Sequence, residues 1–272
     1  MERFLWLTVL GVVVGALGTL IGAGGGFILV PVLLLLYPQA DPETITSISL
    51  AVVFFNALSG SWAYARMGRI DYRSGLLLAA ATVPGAVIGA LATDYIPRRL
   101  FNAVFGLLMI AAAVYLFSHR VGARKPSAEG SERHLARSIV ERNGTVHTFS
   151  YDLRLGMWLS LGVGYVSSLL GIGGGIVHVP ILVRLLSFPV HIATATSHVI
   201  LAIMALTGTL VHIASGSFAH GGVRRTICLS IGVLLGAQVG AALSARVHGM
   251  WIIRGLAVAL TFVGIRILVM AL

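Results

Sequence analysis

Along this chain apolar residues do not alternate with polar ones; they run in long blocks parted by short polar turns. The first block covers about residues 4–37. It is too long for one straight crossing of a hydrocarbon core that about 20 residues span, and a glycine cluster at 22–26 divides it. A polar turn, Gln39-Ala40-Asp41-Pro42-Glu43, separates it from a second block over 44–65, which runs into Arg66, Arg69 and Arg73. A third block, 74–93, carries Gly85 and Gly89 at a spacing suited to close helix packing. A fourth covers 100–118. Each block predicts a helix, because inside lipid the backbone has to satisfy its own hydrogen bonds.

From residue 153 the pattern starts again. Gly22-Ala23-Gly24-Gly25-Gly26-Phe27-Ile28-Leu29-Val30-Pro31 returns as Gly171-Ile172-Gly173-Gly174-Gly175-Ile176-Val177-His178-Val179-Pro180, and Gly85/Gly89 return as Gly236/Gly240. The offset stays within a few residues of about 150, so nearly the whole chain is covered by an internal duplication. The expected fold is an all-α integral membrane protein, a polytopic helical bundle of two tandem repeats, each opening with a Gly-broken helix pair. Residues 1–118 form the first repeat, 119–152 a linker and 153–272 the second repeat. If each broken block crosses once, the halves run parallel; if it folds back, each half crosses an odd number of times and the halves are inverted. Short apolar arms after a glycine cluster read as hairpins, which favours the inverted arrangement.

The linker is the one long hydrophilic stretch. Arg120, Arg124, Lys125, Arg133, Arg137 and Arg142 outnumber Glu129, Glu132 and Glu141 there, which places it on the cytoplasmic side. Its first part is rich in Pro, Ser, Gly and Glu and predicts no packed structure. Its second part holds Asn143-Gly144 between two β-branched runs, the local signature of a β-hairpin.

Composition then narrows the function. With 57% hydrophobic and 10% charged residues, the chain belongs in a lipid bilayer, as a multi-pass protein. The excess of 19 Lys+Arg over 9 Asp+Glu sits in short loops, as the positive-inside rule produces, and not in a nucleic-acid-binding surface. A lone Cys228 rules out an intrachain disulfide and a cysteine-cluster metal site. No catalytic constellation, cofactor motif or metal-ligand cluster is written in the sequence, so an enzyme is not expected.

The nine acidic residues all lie at termini or in loops. Cation carriers and carboxylate proton relays place acids inside the bundle, so the neutral and cationic polar groups within the apolar blocks point to an anionic substrate. The first amides of a helix restarting after Gly24, Gly25 and Gly26, or after Gly173, Gly174 and Gly175, have no intrahelical acceptor and sit at a positive dipole end, where an oxyanion can take them. The hydroxyl-rich starts of the following blocks supply Ser47 and Ser49 in one half and Thr196, Ser197 and His198 in the other. Asn56 in mid-block needs a partner. His178 can hold a proton that accompanies the substrate, while Arg184 reads as an interfacial cation whose stem snorkels. Each glycine cluster read alone equally fits tight helix crossing, and each hydroxyl helix capping; the duplication favours a site. Small-residue faces also permit a homodimer.

The doubled Gly-x-Gly-Gly-Gly-(x)₄-Pro phrase, with the Ser/Thr-rich segments after it and Gly85/Gly89 with Gly236/Gly240, resembles the TauE/SafE family of sulfite exporters (TSUP permeases). The resemblance implies export of small sulfur-containing anions, such as sulfite or organosulfonates, across the cytoplasmic membrane by a secondary transporter. The residues themselves imply an anion and no more. The alternatives are a permease for a non-sulfur organic anion and a non-transporting scaffold or sensor that uses the basic linker.

Overall fold

The computed structural model describes residues 2–37, 39–118, 134–218, 222–244, 246 and 249–271; the first part of the linker, 119–133, lies outside them. The elements are α1 (Glu2–Ile21), α2 (Gly26–Leu36), α3 (Pro42–Met67), α4 (Tyr72–Ala92), α5 (Arg98–Ser118), β1 (His134–Val140), β2 (Val146–Asp152), α6 (Leu153–Leu170), α7 (Gly175–Arg184), α8 (Val190–Ala214), α9 (Gly222–Ser244) and α10 (Gly249–Ala271). Among the described residues, α3, α4 with its last turn, α6, α8 and α9 are long and apolar enough to cross a membrane. The helices that follow the glycine clusters are not: α2 has 11 residues and α7 has 10, about 16 Å each against a core of about 30 Å.

Local chemistry sets these boundaries. Pro42 starts α3, where its missing amide costs nothing, and Gly68 ends it at φ +70°, a left-handed conformation that glycine adopts without strain. Asp71 caps α4 by accepting from the Ser74 amide, and Asp152 caps α6 by accepting from Arg154 and Leu155. Both half-length helices keep a proline inside, Pro31 in α2 and Pro180 in α7, and each proline leaves a carbonyl one turn earlier without its usual donor.

Packing between helices follows the small residues. A side chain at Gly85 or Gly89 of α4 would fall on the backbone of Leu161, Tyr165 and Leu169 of α6, so these two helices lie parallel and nearly touching. Gly232, Gly236 and Gly240 of α9 meet the backbone at Thr8, Val12, Ala16 and Leu20 of α1 in the same way, again parallel. Between α3 and α8 the order reverses: Leu50 lies against Gly208 and Gly60 against His198, so this central pair is antiparallel. The largest apolar core gathers Phe27, Leu29 and Leu33 of α2, Phe101 and Phe105 of α5, and Ile172 and Ile176 around the second break.

The expected hairpin is present. β1 and β2 pair antiparallel from His134↔Asp152 to Val140↔Val146. Gly144 turns the chain at φ +87°, and the Asn143 side chain accepts from the Thr145 amide. The hairpin is docked rather than free: the Arg142 amide donates to Met67 O at 3.0 Å, and Phe149 and Tyr151 stack on Phe188 with ring centroids 4.3 and 5.1 Å apart.

Candidate functional site: the crossing of two broken helices

The two glycine breaks meet. A Cβ at Gly26 would lie 2.7 Å from the backbone of Ile172, and one at Gly175 would lie 2.6 Å from Ala23 Cα. Gly24 and Gly25 have φ of +75° and +84°, and Gly173 and Gly174 both have +78°, values that L side chains adopt only with strain. Sequence positions about 150 residues apart are thereby brought into backbone contact, which no residue larger than glycine would permit.

Hydroxyls from the opposite half lock each break. Ser49 of α3 donates to Gly171 O at 2.6 Å, and Ser197 of α8 donates to Gly22 O at 2.8 Å. Thr46 and Thr194 stand beside the same two glycines. The restarting helices carry no side-chain cap at Gly25 or Gly174. Backbone bonding resumes with Ile28 and Leu29 onto Gly25 O, and with Val177 and His178 onto Gly174 O. The amides of Gly26, Phe27, Gly175 and Ile176 therefore have no acceptor among the described hydrogen bonds, and each group of donors lies at a positive helix end.

The crossing is closed. All residues of 22–26 and 171–175 are buried. Leu201 stands 2.6 Å from the position a Gly24 Cβ would take, Val53 covers Gly173, and the Met204 sulfur lies 3.1 Å from the position a Gly174 Cβ would take. Leu50, Val53, Ala57, Leu201 and Ala205 form one apolar plug with Phe54 packed on it. Phe54 also lines a cleft of about 450 Å³ between α3, α8 and α9, together with Phe55, Leu206, Leu210 and Phe218. The arrangement is an occluded one: donors inside, apolar residues over them, a lipid-like cleft outside the plug.

On the side of the first half a polar cluster adjoins the crossing. Thr19 of α1 donates to Asn56 Oδ1 at 3.1 Å, and Tyr64 donates to Thr19 O at 2.8 Å. The His198 ring lies 5.2 Å from the Tyr64 ring, edge to face, with Nδ1 3.0 Å from Thr194 O. Asn56 Nδ2, His198 Nε2 and Thr46 Oγ1 are buried without a partner, as are Ser167 and Ser168 Oγ at the end of α6.

Of the sequence-expected residues, Gly24, Gly25, Gly26, Gly173, Gly174, Gly175, Ser49, Asn56, Ser197 and His198 are gathered here. Three others are engaged away from the breaks. Ser47 Oγ donates to Thr44 O of its own helix at 2.9 Å, Thr196 Oγ1 accepts from the Asp71 amide at 3.0 Å, and His178 Nε2 lies 3.1 Å from Ser160 Oγ. Arg254 and Arg266 are exposed on α10, and Arg184 closes α7. Val53 and Leu201 were not singled out, although they occupy matching places in the two halves; nothing marks an ordinary aliphatic residue as a plug before the fold is known. Among the described residues no cluster of metal-ligating side chains occurs.

At the end of the bundle that carries the hairpin, the charges pair. Arg137 binds the Asp71 carboxylate at 2.7 Å, and Arg69 and His147 each approach Glu141 at 2.9 Å. Burial pushes the Asp71 carboxyl upward, but the hydrogen bonds from Arg137 and Ser74 outweigh it and hold the group below its ordinary range. Glu141 behaves alike: burial raises it, and the bonds from Arg69 and His147 bring it below the usual carboxylate value.

A bundle of long apolar helices enclosing two interrupted ones is the architecture of a membrane transporter. Residues 7–267 match the family described as sulfite exporter TauE/SafE, and the chain belongs to that family. Among curated proteins it is 30% identical over 271 residues to the "Probable membrane transporter protein YunE" of Bacillus subtilis, covering 97% of each chain. It is 26% identical over 216 residues to "Probable membrane transporter protein MJ0441" of Methanocaldococcus jannaschii, covering 78% of this chain and 73% of that one. The "Probable membrane transporter protein YdhB" of Bacillus subtilis is 25% identical over 239 residues, covering 87% and 85%. No solved structure matches.

Proposed function

We propose that this protein is a secondary transporter, an exporter of small sulfur-containing anions such as sulfite or organosulfonates across the cytoplasmic membrane. The anion is held where the two broken helices cross. The observation that carries this reading is the pair of uncapped helix starts at Gly25–Gly26 and Gly174–Gly175, in contact with one another and rimmed by Ser49 and Ser197. Uncapped amides bind an oxyanion without a full buried countercharge, which keeps binding reversible. The sulfur class rests on the family's own description.

Two inverted repeats, 1–118 and 153–272, joined by the basic linker 119–152, give such a site its mechanism. The antiparallel α3–α8 pair and the opposed directions of α1 and α6 support inversion: α1 runs with α9, α6 with α4, and α3 against α8. On this reading α1–α2 and α6–α7 are hairpins of one long and one half-length arm that enter from opposite faces, and each half adds three further helices. Rocking of one half against the other then parts the Val53–Leu201 plug on one side at a time. The linker and hairpin face the cytoplasm, where the bases of the α3–α4 turn also lie.

The test is flux in proteoliposomes of the purified protein against sulfite, thiosulfate, methanesulfonate, acetate and sodium. The expected result is movement of the sulfur oxyanions at rates well above empty vesicles, with no sodium movement. Flux of acetate alone would remove the sulfur assignment, and no flux of any solute would remove the permease reading.

A further inference from the structure

We infer that His198 is the position at which a proton is loaded together with the anion, so that the crossing binds the two as a pair. This rests on the transport reading above and assigns the coupling that reading leaves open. It starts from the tautomer. Nδ1 of His198 lies 3.0 Å from the Thr194 carbonyl, which only accepts, so Nδ1 carries the hydrogen and the neutral ring presents a bare lone pair at Nε2. That nitrogen is buried and has no partner. Its place is made by Gly60, whose missing Cβ would sit 2.8 Å from Nε2 and 3.2 Å from the Thr19 methyl group. Asn56, one helical turn before Gly60, spends its carbonyl on Thr19 and leaves its amide donor unused. The cluster therefore offers one acceptor and one donor side by side, the complement of an oxyanion that brings a proton.

The charge balance makes the pairing obligatory. A proton on Nε2 creates a buried cation, which is stable only beside a negative group. The groups that surround His198 do not supply one. From α3 come Asn56, Gly60 and Tyr64, a phenol that is neutral at ordinary pH; from α1 comes the Thr19 hydroxyl; at the end of α9 the Ser244 hydroxyl donates to Ala241 O of its own helix. The α4 side contributes Asp71 through its amide bond to Thr196, but that carboxylate is bound by Arg137 and Ser74. On α7 the titratable residues are His178, which bonds Ser160 of its own hairpin, and Arg184 at the helix end. Among the described contacts, α6 and α10 bring no charged side chain to the ring. The anion itself is the missing countercharge, so proton and anion each raise the other's affinity.

His212 illustrates the opposite case: Ser217 lies 3.2 Å from its Nδ1 and donates to Glu43, so a carboxylate is built in. His178 stays within the α6–α7 hairpin. His198, by contrast, projects from the second half into a cluster of the first half, and relative motion of the halves changes its surroundings. Coupled this way, the inward proton gradient favours uptake, and net export needs a steep outward anion gradient.

The experiment uses wild-type and His198→Gln protein in proteoliposomes containing a pH dye, with potassium and valinomycin clamping the voltage. Thiosulfate and methanesulfonate are the probes because neither titrates near neutrality; for sulfite, the proton it carries in bulk is subtracted. The wild type is expected to move about one proton with each anion, and His198→Gln to lose proton movement by about ten-fold or more relative to anion flux. Wild-type anion flux with no proton movement, or wild-type stoichiometry in His198→Gln, overturns the proposal while leaving the permease reading standing. Flux of none of the three anions by the wild type overturns both.

Discussion

The two sides of the crossing share a scaffold and differ in chemistry. Ser49 on Gly171 O is answered by Ser197 on Gly22 O, Thr46 beside Gly171 by Thr194 beside Gly22, and Val53 over one break by Leu201 over the other. One step further out the correspondence fails. The first half brings Thr19, Asn56 and Tyr64 together with His198, whereas the matching places hold Ser168, Met204, His212 and Leu50. Backbone geometry is thus kept twice, because both breaks need the same close approach. The Asn56 amide and the His198 ring are kept once, with Met204 and Leu50 in the matching places, whereas Thr19 and Tyr64 are answered by the buried polar side chains Ser168 and His212. A symmetric frame carrying an asymmetric cluster is what a carrier needs if one substrate is to be handled by two pseudo-equivalent gates.

The largest effect should come from breaking the frame itself. Gly26→Val forces its side chain onto the Ile172 backbone, which lies 2.7 Å from the position even a bare Cβ would take. The expected outcome is a loss of more than about 3 kcal/mol and flux at background, read by thermal melting in detergent and by vesicle assay. A Gly26→Val protein that transports normally would remove the crossing as the site. Next is the asymmetry. Asn56→Met, which copies the second half into the first, strands the Thr19 hydroxyl and is expected to lower flux about ten-fold or more. Met204→Leu on the other side should change flux less than about three-fold, since it conserves volume. Equal losses from both would mean that the polar cluster is not special.

A smaller effect is expected from the plug. Leu201→Ala removes a buried aliphatic group over Gly24 and should destabilise by about 2–4 kcal/mol, while raising the leak of anions through the occluded crossing. An unchanged leak would show that Val53 and Leu201 only pack. Smallest, near neutral pH, is the contribution of the docked hairpin. Asp71 and Glu141 titrate lower in the folded protein than in the unfolded chain. Their stabilisation is therefore fully present above the unfolded value near pH 4 and is lost as pH falls through the folded values. Hydrogen exchange of residues 134–152 should be unchanged between pH 7 and 5 after correction for intrinsic rates, and should accelerate at lower pH. In Asp71→Asn it should be faster already at pH 7, because Arg137 loses its charged partner.

Much of this was legible in the chain before any coordinates. The breaks at 22–26 and 171–175, the ends of α3 near Met67 and of α5 at Ser118, and the hairpin turn at Asn143-Gly144 follow from glycine conformational freedom, block length and turn chemistry, all of which are local. The proposal of an anionic substrate likewise starts from acids confined to block ends. Less legible was the direction in which hydroxyls point. Ser47 and Ser49 sit in one short phrase, yet Ser47 donates to the Thr44 carbonyl of its own helix and Ser49 reaches Gly171, because neighbouring helical positions project to different faces.

What the sequence determined alone is therefore everything set by backbone propensity and solvent: long apolar helices, two interruptions and a small hairpin. What only the tertiary structure decided is which distant residues share a space. The meeting of Gly26 with Ile172, the sealing of the breaks by Val53 and Leu201, and the lone pair of His198 held open beside Gly60 depend on helices placed by packing across the whole chain. Such contacts leave no mark on local pattern, since an aliphatic side chain over a glycine reads the same whether it faces lipid or a closed gate.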